Sequence, residues 1–199
     1  PAPGQLPGDE GSQARGPSDL QTQHIGDRMP GFRLPLLGGG GERSLDELLH
    51  NRRGAVVVFW SGSCAHCVRY DAFFNRFAER HPELGFAAIA SRINETPEQM
   101  MAAAGDRGLS FPILRDEGAR IARQWFSQQT PRCYLLDSEG RLQYRGAVDN
   151  FRLAADPEYR EYLEPAVRQF LNREPIVRAD TPSFGCAIET VYYQLPKQL

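Results

Sequence analysis

Lysine is all but absent from this chain: Lys197 is the only one, and every other basic side chain is arginine. The arginines are scattered among acids and the net charge is -2, so no basic face stands out for nucleic acid or anionic lipid, and no nucleic-acid partner is expected. Arginine in excess without clustering reflects base composition rather than an array of phosphate sites. No run approaches the roughly 18 to 20 apolar residues that a transmembrane helix needs. The chain also lacks an initiator Met and the apolar stretch of a signal peptide, so its start at Pro1 reads as a processed or trimmed end. Residues 1–24 are rich in Pro, Gly, Gln and Ser and nearly devoid of apolar side chains; burial there cannot offset the entropy of ordering, and they are expected to be a flexible tether, suited to follow a membrane anchor. Cysteine is scarce as well. Cys64, Cys67, Cys133 and Cys186 include one closely spaced pair, whereas a structural zinc site draws on four ligands, and Val68 stands where c-type haem attachment would require His. Neither a metal nor another bound cofactor is expected.

What is present is more specific. The tetrapeptide Cys64-Ala65-His66-Cys67 follows the apolar run 55–60 and a short Ser61-Gly62-Ser63 turn. Two thiols three residues apart at the start of a helix can exchange with a disulfide: the helix N-terminus favours the first thiolate, and the second thiol is near enough to displace it.

Apolar residues make up 41% of the chain, enough for one domain with a real core, and no internal repeat divides it. Residues 25–36 alternate short apolar side chains with Gly and Pro and suit an edge hairpin; 38–41 form a loop, and Ser44 caps a short helix carrying Leu45, Leu48 and Leu49. The run 55–60 is apolar on both faces, as a central strand is. Tyr70, Phe73, Phe74 and Phe77 then fall at helical spacing, which predicts one helix over 64–80. A strand is expected over 86–90, a helix over 97–104 capped by Thr96, a strand over 111–114, a helix over 117–126, and an antiparallel hairpin of strands 132–136 and 142–146 around Asp137-Ser138-Glu139-Gly140. A last helix is expected from Asp156 to about Asn172. Residues 173–199 are too apolar for a free tail and read as an extension packed on the domain. The alternation of strand and helix argues an α/β fold with a central mixed β-sheet and helices on both faces, an N-terminal hairpin and a C-terminal extension.

The Val-Val-Val-Phe-Trp strand before the CxxC pair, Gly26-Asp27 with Pro30 and Phe32, Thr130-Pro131, and Leu135-Leu136-Asp137-Ser138-Glu139-Gly140-Arg141 together resemble the thioredoxin superfamily, in its redoxin and TlpA-like branch. The resemblance spans residues 25–171, within a domain over 25–172. The run from Thr181 to Ile188 is similar to a Gly-Cys-containing extension of some bacterial redoxin-domain proteins. The resemblance implies a thioredoxin-like fold and a thiol-disulfide oxidoreductase acting on protein thiols or disulfides, together with a redox partner protein, in the periplasm or another extracytoplasmic compartment. It implies that Cys64 attacks and Cys67 resolves, that Pro131 is cis and faces the pair, and that Thr130 presents its backbone to an extended substrate strand. His66, between the cysteines as in oxidant-type disulfide exchangers, is expected to favour the Cys64 thiolate. Trp60 is the one aromatic carried over from the motif, and reads as a packing residue.

Departures from the family pattern narrow the chemistry. Val58 occupies the strand position where thioredoxin itself carries a buried Asp, so the usual internal base is missing. A redoxin-type thiol peroxidase is the rival activity, with Ser61 at the hydroxyl position but Val57 where a proline belongs. A redox-inactive binding module, its cysteines covered by the C-terminal extension, is the rival of a different class. Cys133 falls two residues after Pro131, on the same side of an extended strand. It reads as a buried apolar thiol, as a relay to Cys67, or, the favoured reading, as the partner of Cys186 in a structural disulfide pinning the extension.

Overall fold

A computed structural model describes residues 23–189. The expected tether over 1–24 lies almost wholly outside the described residues, and so does the end of the extension. Strands β1 (Arg33–Pro35) and β2 (Glu42–Ser44) pair antiparallel, with Leu34 opposite Arg43. The hairpin is therefore displaced from the expected 25–36: its turn is the Gly38 to Gly41 run, all at positive φ, a conformation that costs glycine nothing. Residues 26–29 instead bond to the turn before the last central strand, Gly26 N donating to the Leu142 carbonyl at 2.7 Å and Leu142 N to that of Asp27 at 2.9 Å. Ser44 caps α1 (Leu45–Leu49) in a reciprocal capping box with Glu47.

The central sheet is built on β3 (Gly54–Trp60), β4 (Leu84–Ala90) and β5 (Ile113–Arg115), mutually parallel, with β7 (Arg132–Asp137) and β8 (Leu142–Gly146) added antiparallel in the order β5-β4-β3-β7-β8. Every residue of β3 and β4 is buried, as expected for continuous apolar strands covered on both faces. The pleat sends Val56, Val58 and Trp60 to one face and Ala55, Val57 and Phe59 to the other. The first face is covered by α2 (Ala65–Val68), α3 (Asp71–Asn75), α4 (Phe77–Arg80), α5 (Pro97–Asp106) and α7 (Leu163–Leu171). The second is covered by α1, α6 (Arg120–Gln124) and β1. Two further two-residue strands, β6 (Gln129–Thr130) and β9 (Cys186–Ala187), form a separate antiparallel pair.

Three helices depart from expectation: the one predicted over 117–126 is α-helical only over Arg120–Gln124, because the backbone turns left-handed at Gly118 and Ala119. The helix predicted over 64–80 is three short pieces, separated at Tyr70, which leaves helical geometry (φ -106, ψ 6), and at Arg76 (φ -92, ψ -4). The Tyr70 hydroxyl donates to Asp149 Oδ1 at 2.5 Å, a long-range bond that local periodicity cannot report. The last helix starts at Leu163 rather than Asp156, because the preceding backbone bonds elsewhere: Asn150 N donates to the Arg160 carbonyl at 3.0 Å, Asn150 Nδ2 to that of Glu158 at 2.7 Å, and Tyr162 N to that of Val148 at 2.9 Å.

Candidate active site

Strand β3 ends at Trp60, and the turn that follows carries Cys64. A buried carboxylate that sequence reasoning passed over shapes that turn: Glu95 accepts from Ser61 Oγ at 2.6 Å, Gly62 N at 2.8 Å and Ser63 Oγ at 2.9 Å. Arg107 holds the other side, donating to the Gly62 carbonyl at 2.8 Å while forking onto both oxygens of Asp71 at 2.7 Å and lying over the Trp60 ring. Hydroxyls spaced Ser61-x-Ser63, followed by an acid near a helix start, were the available signal; only the fold brings the acid across. Trp60 is fully buried in the core cluster that also contains both cysteines of the motif.

Cys64 caps α2, its carbonyl accepting from Cys67 N at 3.0 Å. With four residues, this helix aligns too few peptide dipoles to be the main support of a thiolate, so the expected helix-terminus effect is replaced by direct contacts. The Cys64 thiol is pulled down to about 4, first by the hydrogen bond from Cys67; burial opposes this, and Cys186 and the side chain of Thr130 reinforce it. Cys67 is driven the other way by burial and by its bond to the Cys64 thiolate, so it remains a protonated donor. Cys186 is also raised, by burial and by the neighbouring Cys64.

The Cys64 and Cys186 sulfurs lie 2.6 Å apart. The structure thus brings Cys186 to Cys64 and not to Cys133, and all four cysteines are free thiols. Cys133 is fully buried in β7, opposite Val58 and Gly146, and burial pushes its thiol up; it serves as a packed apolar side chain. The long-range disulfide expected between Cys133 and Cys186 is therefore not formed, because the extension reaches the site through β6 rather than along β7.

Thr130 and Pro131 are joined by a cis peptide. The Thr130 carbonyl lies 3.3 Å from Cys64 Sγ, a contact that only the protonated thiol can donate to. The main chain of Thr130, expected to receive a substrate strand, is paired with Cys186 of the same chain. His66 stacks on Phe151, ring centroids 4.7 Å apart, and Phe151 in turn faces Phe184 at 6.4 Å. The groups that lower Cys64 are thiols and Thr130, not this imidazole. Among the described residues no group of His, Cys, Asp and Glu is arranged to hold a metal ion.

The redoxin family pattern matches residues 24–163. The thiol-disulfide oxidoreductase ResA of Geobacillus thermodenitrificans is 24% identical over 119 residues, 60% of this chain and 67% of its own. The ResA of Halalkalibacterium halodurans is 27% identical over 126 residues, 63% of this chain and 69% of its own. A solved structure of a hypothetical protein from Sinorhizobium meliloti 1021 superposes with a TM-score of 0.74 at 28% identity, covering 84% of this chain and 95% of that one. The chain belongs to the redoxin family, in the thioredoxin superfamily, and is an oxidoreductase of the thiol-disulfide class.

Proposed function

We propose that this protein exchanges disulfides with protein substrates through the Cys64-Cys67 pair, Cys64 as nucleophile and Cys67 as resolving thiol. The observation that carries this reading is the placement of the pair: Cys64 stands at the N-cap of α2 with its carbonyl accepting from Cys67 N at 3.0 Å and its sulfur 3.3 Å from the Thr130 carbonyl, and in keeping with it Cys64 is lowered to about 4 while Cys67 is raised. Near neutral pH Cys64 is a thiolate able to attack a disulfide sulfur, and Cys67 holds a proton until it attacks in turn. In the forward step the Cys64–substrate bond forms as the substrate disulfide breaks. The cycle ends with the Cys64–Cys67 bond closed and the second substrate thiol released.

A thiolate stabilised this strongly is also a good leaving group and stabilises the reduced pair, so the couple leans towards oxidising its partners. Because Cys67 and Cys186, rather than His66, are the groups that lower Cys64, the direction rests on the thiol cluster. A compartment outside the cytoplasm suits such a couple, and no described helix is long and apolar enough to cross a membrane. Insulin reduction and dithiol oxidation, measured on the wild-type protein and Cys64→Ser, test the assignment. Loss of both activities in the variant is expected; turnover surviving at the wild-type rate would overturn it.

A further inference from the structure

Residues 181–188 form a strap fixed at both ends across the site. At one end Thr181 is buried, its Oγ1 2.8 Å from the Tyr144 hydroxyl and accepting from Ala147 N at 3.2 Å. At the other, Ile188 is buried; its N donates to the Gln128 carbonyl at 2.9 Å, and its carbonyl accepts from Ile93 N at 3.4 Å. Between these anchors Thr130 pairs with Cys186 and Gln129 with Ala187. Gly185 permits the approach, since a Cβ there would sit 1.8 Å from the Thr130 carbonyl oxygen. The outcome is main-chain pairing at Thr130 together with a sulfur set against Cys64 at 2.6 Å, and Cys64 has no exposed surface. A substrate cysteine in disulfide exchange needs both of these features, and here the chain supplies them itself.

We propose that Cys186 is an internal exchange partner of Cys64: it resolves mixed disulfides formed at Cys64 and latches the strap over the site. The proposal rests on the reading of Cys64 as nucleophile. Because Cys64 is fully covered, a substrate disulfide reaches it when the strap lifts, and the return of the strap carries Cys186 onto the mixed disulfide. The Cys186 thiolate attacks Cys64 Sγ, the Cys64–Cys186 bond forms, and the bond from Cys64 to the substrate sulfur breaks. The leaving substrate thiolate takes up the proton that Cys186 gave up. Cys64 and Cys186 together lose the two electrons that reduce the substrate disulfide. Attack of Cys67 on Cys64 then transfers the internal bond to Cys64–Cys67 and returns Cys186 to the thiol, with no net redox change.

The test is a single turnover of the full-length chain with oxidised glutathione, quenched in acid at successive times and mapped by mass spectrometry of non-reduced peptides. In Cys67→Ser the glutathione adduct at Cys64 is expected to be transient and to end as a Cys64–Cys186 disulfide. In the Cys67→Ser, Cys186→Ser double variant the adduct should persist at least ~tenfold longer, since the tethered thiol acts at high effective concentration. A lasting adduct in Cys67→Ser with Cys186 free would overturn the proposal. Should Cys67→Ser fail to fold, the wild-type time course decides: a Cys64–Cys186 peptide preceding Cys64–Cys67 supports the step, and its absence at every time rejects it. Failure of the double variant to acquire glutathione at Cys64 would instead overturn the nucleophile reading, and the proposal with it.

Discussion

At Cys64, hydrogen bonds to the charged form outweigh burial, which alone would raise a thiol, and the result is a pKa near 4. The thiolate absorbance of the reduced protein should therefore titrate with a midpoint near pH 4 rather than near the ordinary 9.0. A midpoint above about 7, in the range of weakly perturbed thiols, would contradict the contact geometry. Replacing Cys186 by Ala removes one of the groups that lower Cys64 and should raise that midpoint measurably. Replacing His66 by Ala, whose ring is engaged with Phe151, should move it less. The order of the two variants is the readout, since a larger effect of His66 would restore the imidazole as the main electrostatic influence. Correspondingly, the reduction potential of the Cys64-Cys67 couple is expected nearer the roughly -120 mV of strong oxidants than the roughly -270 mV of thioredoxin.

The turn before Cys64 and the strap above it are the elements that decide access and alignment. Glu95 gathers four donors from three consecutive residues, so Glu95→Gln leaves part of that set without an acceptor and should cost about 1 to 3 kcal/mol, read from urea denaturation. A change within error would mean that water replaces the carboxylate at no cost. At the β9 end the strap depends on buried Ile188 and on a glycine pressed against a carbonyl. Gly185→Ala forces β9 away from Thr130, and Ile188→Ala removes its anchor; both should speed alkylation of Cys64 and amide exchange over 183–188 while leaving β3 and β4 protected. Equal alkylation rates in wild type and both variants would show that the strap does not control entry. Glu95 and the strap were poorly legible in the sequence because each acts across a gap: Glu95 lies 34 residues from Ser61, and Cys186 lies 122 from Cys64. The segments with local signatures are legible, among them the apolar runs of β3 and β4, the Thr96 cap and the Asp137 to Gly140 turn.

For the whole molecule, the lowered pKa of Cys64 links redox state to stability. A thiol whose folded-state pKa lies below its unfolded value adds stability that is complete above the unfolded value and is lost as pH falls through the folded one. The reduced protein should thus lose this contribution between pH 9 and pH 4, whereas the oxidised protein, with no Cys64 thiol to titrate, should lack that slope. Thermal denaturation of both forms across this range checks it, and parallel profiles would refute the linkage. Local sequence was enough for the class of fold and for the candidate reagent: continuous apolar strands are central and covered on both faces, and two thiols at CxxC spacing with Thr130-Pro131 later in the chain mark the pair proposed here to carry the exchange. Tertiary structure alone decided the partners. Tyr70, where the helix breaks, bonds to Asp149, the 149–161 loop took the backbone groups that a longer last helix would have used, and Cys186 met Cys64 rather than Cys133. Periodicity and composition report which face a residue turns inward, but not which distant segment is folded against it.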